Sequence, residues 1–104
     1  MKIALDWDGT LAERKEIPRG NVNWSLIKPN EHAVDFCYEA MSRGHELYVC
    51  TARSKGDFPK IREWLVKHKF PDMDITNRKR LGTTIYLDDR AIRFTNFLDI
   101  SKLI

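Results

Sequence analysis

Three short apolar runs punctuate the chain: Ile3-Ala4-Leu5, Leu47-Tyr48-Val49-Cys50 and Ile85-Tyr86-Leu87. Each is continuous rather than alternating, the pattern of parallel strands buried on both faces. They predict strands over residues 2–6, 46–50 and 84–88. Ile75, between Asp74 and Thr76, marks a weaker strand over 74–76. Between the first two runs, Ala33, Val34, Phe36, Cys37, Ala40 and Met41 recur at spacings of three and four, which predicts a helix over 31–43. Asn30 is placed to cap its start, and Gly44 offers the left-handed residue that stops it. A second helix fits 57–68, with Asp57 as cap, Pro59 in the first turn and Ile61, Trp64 and Leu65 on one face. Phe70-Pro71 ends it.

Strand, helix, strand, helix, strand, strand is the grammar of an open α/β sheet. Residues 11–29 follow no period and mix Arg14, Lys15, Pro18, Gly20, Asn21 and Asn23, so they read as a long loop, flap or small hairpin. Loops of that length are uncommon and often functional. At 104 residues with 42% hydrophobic positions, the expectation is one domain over 1–104 with a real core. No apolar run reaches a membrane span, and the apolar start is too short for a signal peptide, so a soluble, cytoplasmic chain is expected. The net charge of +3 is too thin and too interspersed with acid to argue for nucleic acid by itself. Cys37 and Cys50 lie within apolar stretches without a CxxC or a close His, and read as buried thiols rather than a disulfide or a zinc site.

Chemistry collects where the runs end. The first leads into Asp6-Trp7-Asp8-Gly9-Thr10, the second into Thr51-Ala52-Arg53-Ser54, the weak strand into Asn77-Arg78-Lys79-Arg80, and the last into Asp88-Asp89-Arg90. Ligands of open α/β sheets bind beyond the carboxyl ends of the strands. Several carboxylates in one crevice repel unless a cation sits among them, and oxygen donors without Cys or His favour magnesium. Each piece alone has a plainer meaning. A DxD is common on surfaces, Asp-Gly is a turn signal, a Thr after a strand is usually a cap, and Lys79 in a basic run is usually solvated. His32, His45 and His68 read as surface or helix-end residues, and Trp24 as packing. Their order along four strand ends is what gives the acids, Thr51 and Lys79 weight.

In that order the chain resembles the haloacid dehalogenase-like hydrolases, the aspartate-nucleophile phosphatases. Asp6-Trp7-Asp8-Gly9-Thr10 matches their DxDGT signature, Thr51 their second motif, Lys79 the lysine upstream of the last motif, and Asp88-Asp89 its double-aspartate form. The stretch from Leu87 to Phe94 further looks like a subgroup of very small, capless bacterial and phage members, although Arg80 and Leu81 stand where that subgroup carries prolines. The resemblance implies a Rossmann-like sheet of order 3-2-1-4 without a cap domain. It also implies a magnesium-dependent phosphoric monoester hydrolase. Asp6 would be the nucleophile and Asp8 the general acid/base, with Thr51 and Lys79 binding phosphate. Asp6, Asp8 (through its carbonyl), Asp88 and Asp89 would hold Mg2+, Asp89 directly. Thr10, Arg53 and Arg90 are candidate substrate contacts.

The expected substrate is a small phosphorylated compound. The alternative is a nucleotide or a nucleic-acid end such as a 3′-phosphate, for which Arg53, Lys55 and the run from Arg78 to Arg80 would supply charge. A receiver-type signalling domain is disfavoured by motif order, because the second run ends in Thr51 rather than Asp and two aspartates follow the lysine. A non-catalytic binding module is disfavoured by the intact acidic set.

Overall fold

A computed structural model describes residues 1–13 and 23–87. The segment 14–22 and everything from Asp88 onward, including Asp89, Arg90 and the Ala91–Phe94 stretch, lie outside the described residues.

The apolar runs form β1 (Lys2–Leu5), β2 (Glu46–Cys50) and β4 (Ile85–Leu87), and Ile75–Thr76 is β3. All pair in parallel in the order β3-β2-β1-β4. Helices α1 (Ala33–Ser42) and α2 (Phe58–Lys67) make the two strand-to-strand crossovers from β1 to β3. Both crossovers step the same way along the sheet, and right-handed connections of that kind put both helices on one face. That face carries the main core. Ile3, Leu5, Leu47 and Val49 join Phe36, Cys37 and Ala40 of α1 and Ile61, Trp64 and Leu65 of α2 in one buried cluster. Burial pushes the Cys37 thiol up to about 12. Cys50 is partly exposed, and neither cysteine is in a disulfide.

From β3 the chain must pass back over β2 and β1, so it crosses the opposite face. It does so as a loop over residues 77–84 rather than a helix. Register places Tyr48, Ala4 and Tyr86 side by side across that face. Arg80 lies over the Tyr48 ring (5.0 Å) and Lys79 over the Tyr86 ring (4.7 Å). The Tyr48 hydroxyl also accepts from the Arg80 N–H (3.0 Å) and meets Thr83 Oγ1 (2.6 Å). Lys2 Nζ donates to the Leu81 carbonyl, and the Thr84 N–H donates to the Lys2 carbonyl, which delivers the chain to the start of β4.

Both helices are shorter than their apolar periods predict. α1 begins at Ala33, with His32 in the left-handed region (φ 66°) before it. Asn30 does not cap the helix with its side chain: the cap position falls at His32, and the Asn30 amide donates into the turn after β1 instead. At its other end Gly44 (φ 86°) sits where predicted: its N–H bonds the Met41 carbonyl and the His45 N–H bonds that of Ala40. α2 closes in the same way, through Lys69 to Val66 and Phe70 to Leu65, but the left-handed residue is Lys69 (φ 63°). Asp57 precedes α2 without a side-chain cap bond. His32 and His68 stand at helix ends, and His45 lies in the turn between Gly44 and β2. Among the described residues no helix is long and apolar enough to cross a membrane.

Candidate active site at the carboxyl end of β1

β1 lies between β2 and β4, so the strand order reverses at its seam with β4, the kind of place where open α/β sheets bind ligands beyond their carboxyl ends. The Asp6 N–H extends the ladder by donating to the Leu87 carbonyl at 3.0 Å. Strand alternation puts Asp6 on the side of Ala4, opposite the core face of Leu5. Its Oδ1 accepts from the Trp7 N–H at 2.8 Å.

The turn after it is wound tightly. Thr10 and Ala12 donate their N–H groups to the Trp7 carbonyl, and Leu11 donates to that of Asp6. Gly9 takes φ 75°, a value that costs a side-chain-bearing residue about 1 kcal/mol. Trp7, Thr10, Leu11 and Ala12 are fully buried. Asn30 clasps the turn from outside: its amide donates to the Thr10 carbonyl (2.7 Å) and reaches those of Gly9 (3.4 Å) and Ala12 (3.5 Å). The flanks of the 11–29 segment close like the base of a hairpin, with Ala12 bridging Pro29 and the Glu13 N–H on the Lys28 carbonyl.

Beneath the turn is an aromatic floor. The Trp7 ring lies 5.1 Å from Trp24 and 5.3 Å, edge on, from Trp64. Trp64 Nε1 donates to the Ile27 carbonyl at 2.9 Å. Trp24 is thus a packing residue, as expected, and its 3-10 turn (Trp24–Leu26) is capped by Asn23. Trp7 Nε1 and Thr10 Oγ1 are buried without a hydrogen-bond partner among the described residues.

Asp8 points toward the second strand end. Arg53 Nε lies 2.9 Å from its Oδ2 and 3.1 Å from its Oδ1, and Arg53 Nη2 lies 2.8 Å from Oδ1. Arg53 Nη1 reaches Asp57 Oδ2 at 3.4 Å. Burial lowers the affinity of the guanidinium for its proton, but the hydrogen bonds and charges of Asp8, then Asp57, outweigh this and hold its pKa above the ordinary arginine value. Thr51 is buried, and its Oγ1 accepts from the Arg53 N–H at 3.1 Å, a local turn that sets Arg53.

The expected set is therefore only partly gathered. Asp6, Asp8 and Thr51 stand at neighbouring strand ends, while Lys79 is exposed with its amine over Tyr86. Thr10, a candidate substrate contact, is sealed inside the turn, with its backbone carbonyl held by Asn30. Arg53, another such candidate, spends its guanidinium on two carboxylates of its own chain. Asp88, Asp89 and Arg90 lie outside the described residues. Among those described, no three His, Cys, Asp or Glu side chains form a metal-sized cluster. Asn30 was legible only as a helix cap; its loop-clasping role has no sequence signal beyond its amide.

No family model matches the chain. No curated protein matches it either. Among solved structures it is similar to a conserved protein coded by a locus of Bacteroides thetaiotaomicron, with 18% identity over 99% of this chain and 88% of that one and a TM-score of 0.75. At that identity the likeness establishes the fold alone: one all-parallel four-stranded α/β sheet in the order 3-2-1-4.

Proposed function

We propose that the chain is a magnesium-dependent phosphomonoesterase of the haloacid dehalogenase-like type, acting on small phosphorylated compounds through an aspartyl-phosphate on Asp6. The observation that carries this reading is the seam at the switch point. Asp6 and Asp8 flank the buried Trp7 at the end of β1, and the Asp6 N–H holds the carbonyl of Leu87, the residue that Asp88 and Asp89 follow in the chain.

The donors suit a hard cation: Asp6, Asp8, Asp88 and Asp89 offer oxygen alone. Together they would hold Mg2+, which when bound supplies positive charge to the phosphoryl oxygens and relieves repulsion among the carboxylates. The chemistry of the chain itself runs in two steps. An Asp6 oxygen attacks phosphorus, the bond from phosphorus to the leaving oxygen breaks, and the Asp8 carboxyl gives that oxygen its proton. Water then attacks the aspartyl-phosphate and loses a proton to the Asp8 carboxylate, and the Asp6 oxygen departs with the original carboxylate restored. Thr51 and Lys79 are assigned to the phosphoryl group, Lys79 by leaving its perch on Tyr86.

A small substrate is favoured over a nucleic-acid end because the basic run after β3 is not all available. Arg80 is bound to Asp74 (3.2 Å) and stacked on Tyr48. The test is a panel of phosphomonoesters, nucleotides and a 3′-phosphorylated oligonucleotide, assayed with magnesium. Small esters should be hydrolysed, and Asp6→Asn should lower turnover by at least ~10³-fold while keeping the fold. Undiminished activity in Asp6→Asn would exclude the covalent mechanism.

A further inference from the structure

Arg53 is held on every side by groups of its own chain. Its N–H is bound to Thr51 Oγ1, and its Nη1 faces Asp57, carried by the 3-10 turn Lys55–Asp57. Its guanidinium carbon lies 5.1 Å from the Trp7 ring and 5.5 Å from that of Trp24. Its side chain is only 18% exposed and that of Asp8 23%. An arginine that anchors substrate presents its fork outward. Here the Nε and Nη2 edge is spent on both oxygens of one carboxylate, a geometry that fixes the plane of that carboxylate as well as its place.

From this arrangement we infer that Arg53 is a positioning residue for Asp8 and not a substrate contact. The inference rests on the phosphomonoesterase reading and deepens it. The Nε–H is shared between Oδ2 (2.9 Å) and Oδ1 (3.1 Å) while Nη2 reaches Oδ1 (2.8 Å), so the fork engages both oxygens of Asp8. The carboxyl so held gives its proton to the leaving oxygen in the first step and takes a proton from water in the second. Trp7 and Trp24 serve as the shelf on which the fork lies. Their part is geometric: a residue between the two catalytic aspartates supplies the floor under the arginine that aligns one of them.

The test compares kcat/KM for two substrates, a nitrophenyl phosphate and an alkyl phosphate, with the full chain and magnesium. A nitrophenolate departs without a proton, whereas an alkoxide needs one, so only the alkyl ester depends on an aligned acid. Arg53→Lys and Arg53→Ala should lose roughly 10²-fold on the alkyl ester and less than about 5-fold on the aryl ester. Asp8→Asn should show the same leaving-group pattern, and adding Arg53→Lys to it should cost little more, because the two act as a unit. Equal losses on both esters with a raised KM would make Arg53 a substrate anchor and overturn the inference while leaving the phosphatase reading intact. A wild-type chain inactive on both esters would overturn both. The pairing itself is read without activity: the Arg53 Nε–H resonance should move and exchange faster in Asp8→Asn, and an unmoved resonance would also overturn the role.

Discussion

The side-chain amide of Asn30 lies 2.7 Å from the carbonyl oxygen of Thr10, and this bond joins the entrance of α1 to the turn that follows β1. Because the turn packs its side chains inward, its carbonyls need a donor from elsewhere, and Asn30 is that donor. Asn30→Ala should destabilise the fold by about 1–3 kcal/mol, the cost of leaving such an acceptor unmet. Thermal melting would then fall by roughly 4–8 °C per kcal/mol. Asn30→Asp keeps the shape but turns acceptors onto acceptors, and should cost at least as much. An Asn30→Asp protein that melts with the wild type would show that the amide is not the clasp.

Magnesium should raise the melting temperature, since a ligand of the native state alone stabilises it by mass action. The rise should shrink sharply in Asp88→Asn/Asp89→Asn. The same shift in both proteins would mean that the acidic pair does not hold the ion.

Lys69 occupies the left-handed position that closes α2, at φ 63° and exposed to solvent. Glycine adopts that conformation freely, so Lys69→Gly should stabilise the protein by roughly 0.5–1 kcal/mol. Chemical denaturation with an unchanged m-value is the measurement, and a loss of stability would contradict the strain argument.

His68 packs 4.7 Å from the Trp64 ring. Burial, then the charge of Lys67, lowers its pKa below the ordinary 6.5. The unfolded chain therefore binds more protons than the native one near and below that value. The contribution to stability is complete above 6.5 and is lost as pH falls from there through the depressed native pKa. Melting temperatures between about pH 7.5 and pH 5 should decline less steeply in His68→Gln than in the wild type. Identical slopes would remove His68 from the account.

The sheet was readable because its strands are continuous apolar runs, and each element was found within a few residues of its predicted bounds. The helix ends were less so. Asn30 suits a cap and a loop clasp equally well, and only the fold decides which of its neighbours needs a donor. Nothing in a Lys-Phe-Pro sequence announces that Lys69 will accept a glycine's conformation; the pull comes from Phe70, buried against Trp64. The site was legible as far as Asp6, Asp8 and Thr51, whose placement follows from strand ends. The partner of Arg53 was not. A guanidinium three residues past β2 reads as a substrate contact or a solvated charge until the parallel register brings it beside Asp8.

The seam between β1 and β4 has a kinetic meaning. It joins Ile3 to Ile85, so nearly the whole described chain must be wound before the ladder can close, and the loop that closes it is entropically dear. Among the described residues, β4 runs Ile85–Leu87 and pairs with β1. Of the described strand pairings this one closes the longest loop, and it is expected to form late in folding. Asp6 stands on one side of the seam, and Asp88 and Asp89 are tethered to the other through Leu87. A ligand that bridges the two would act as a clasp on the longest-range closure among the described strands, and its occupancy would be felt as slower amide exchange along β4.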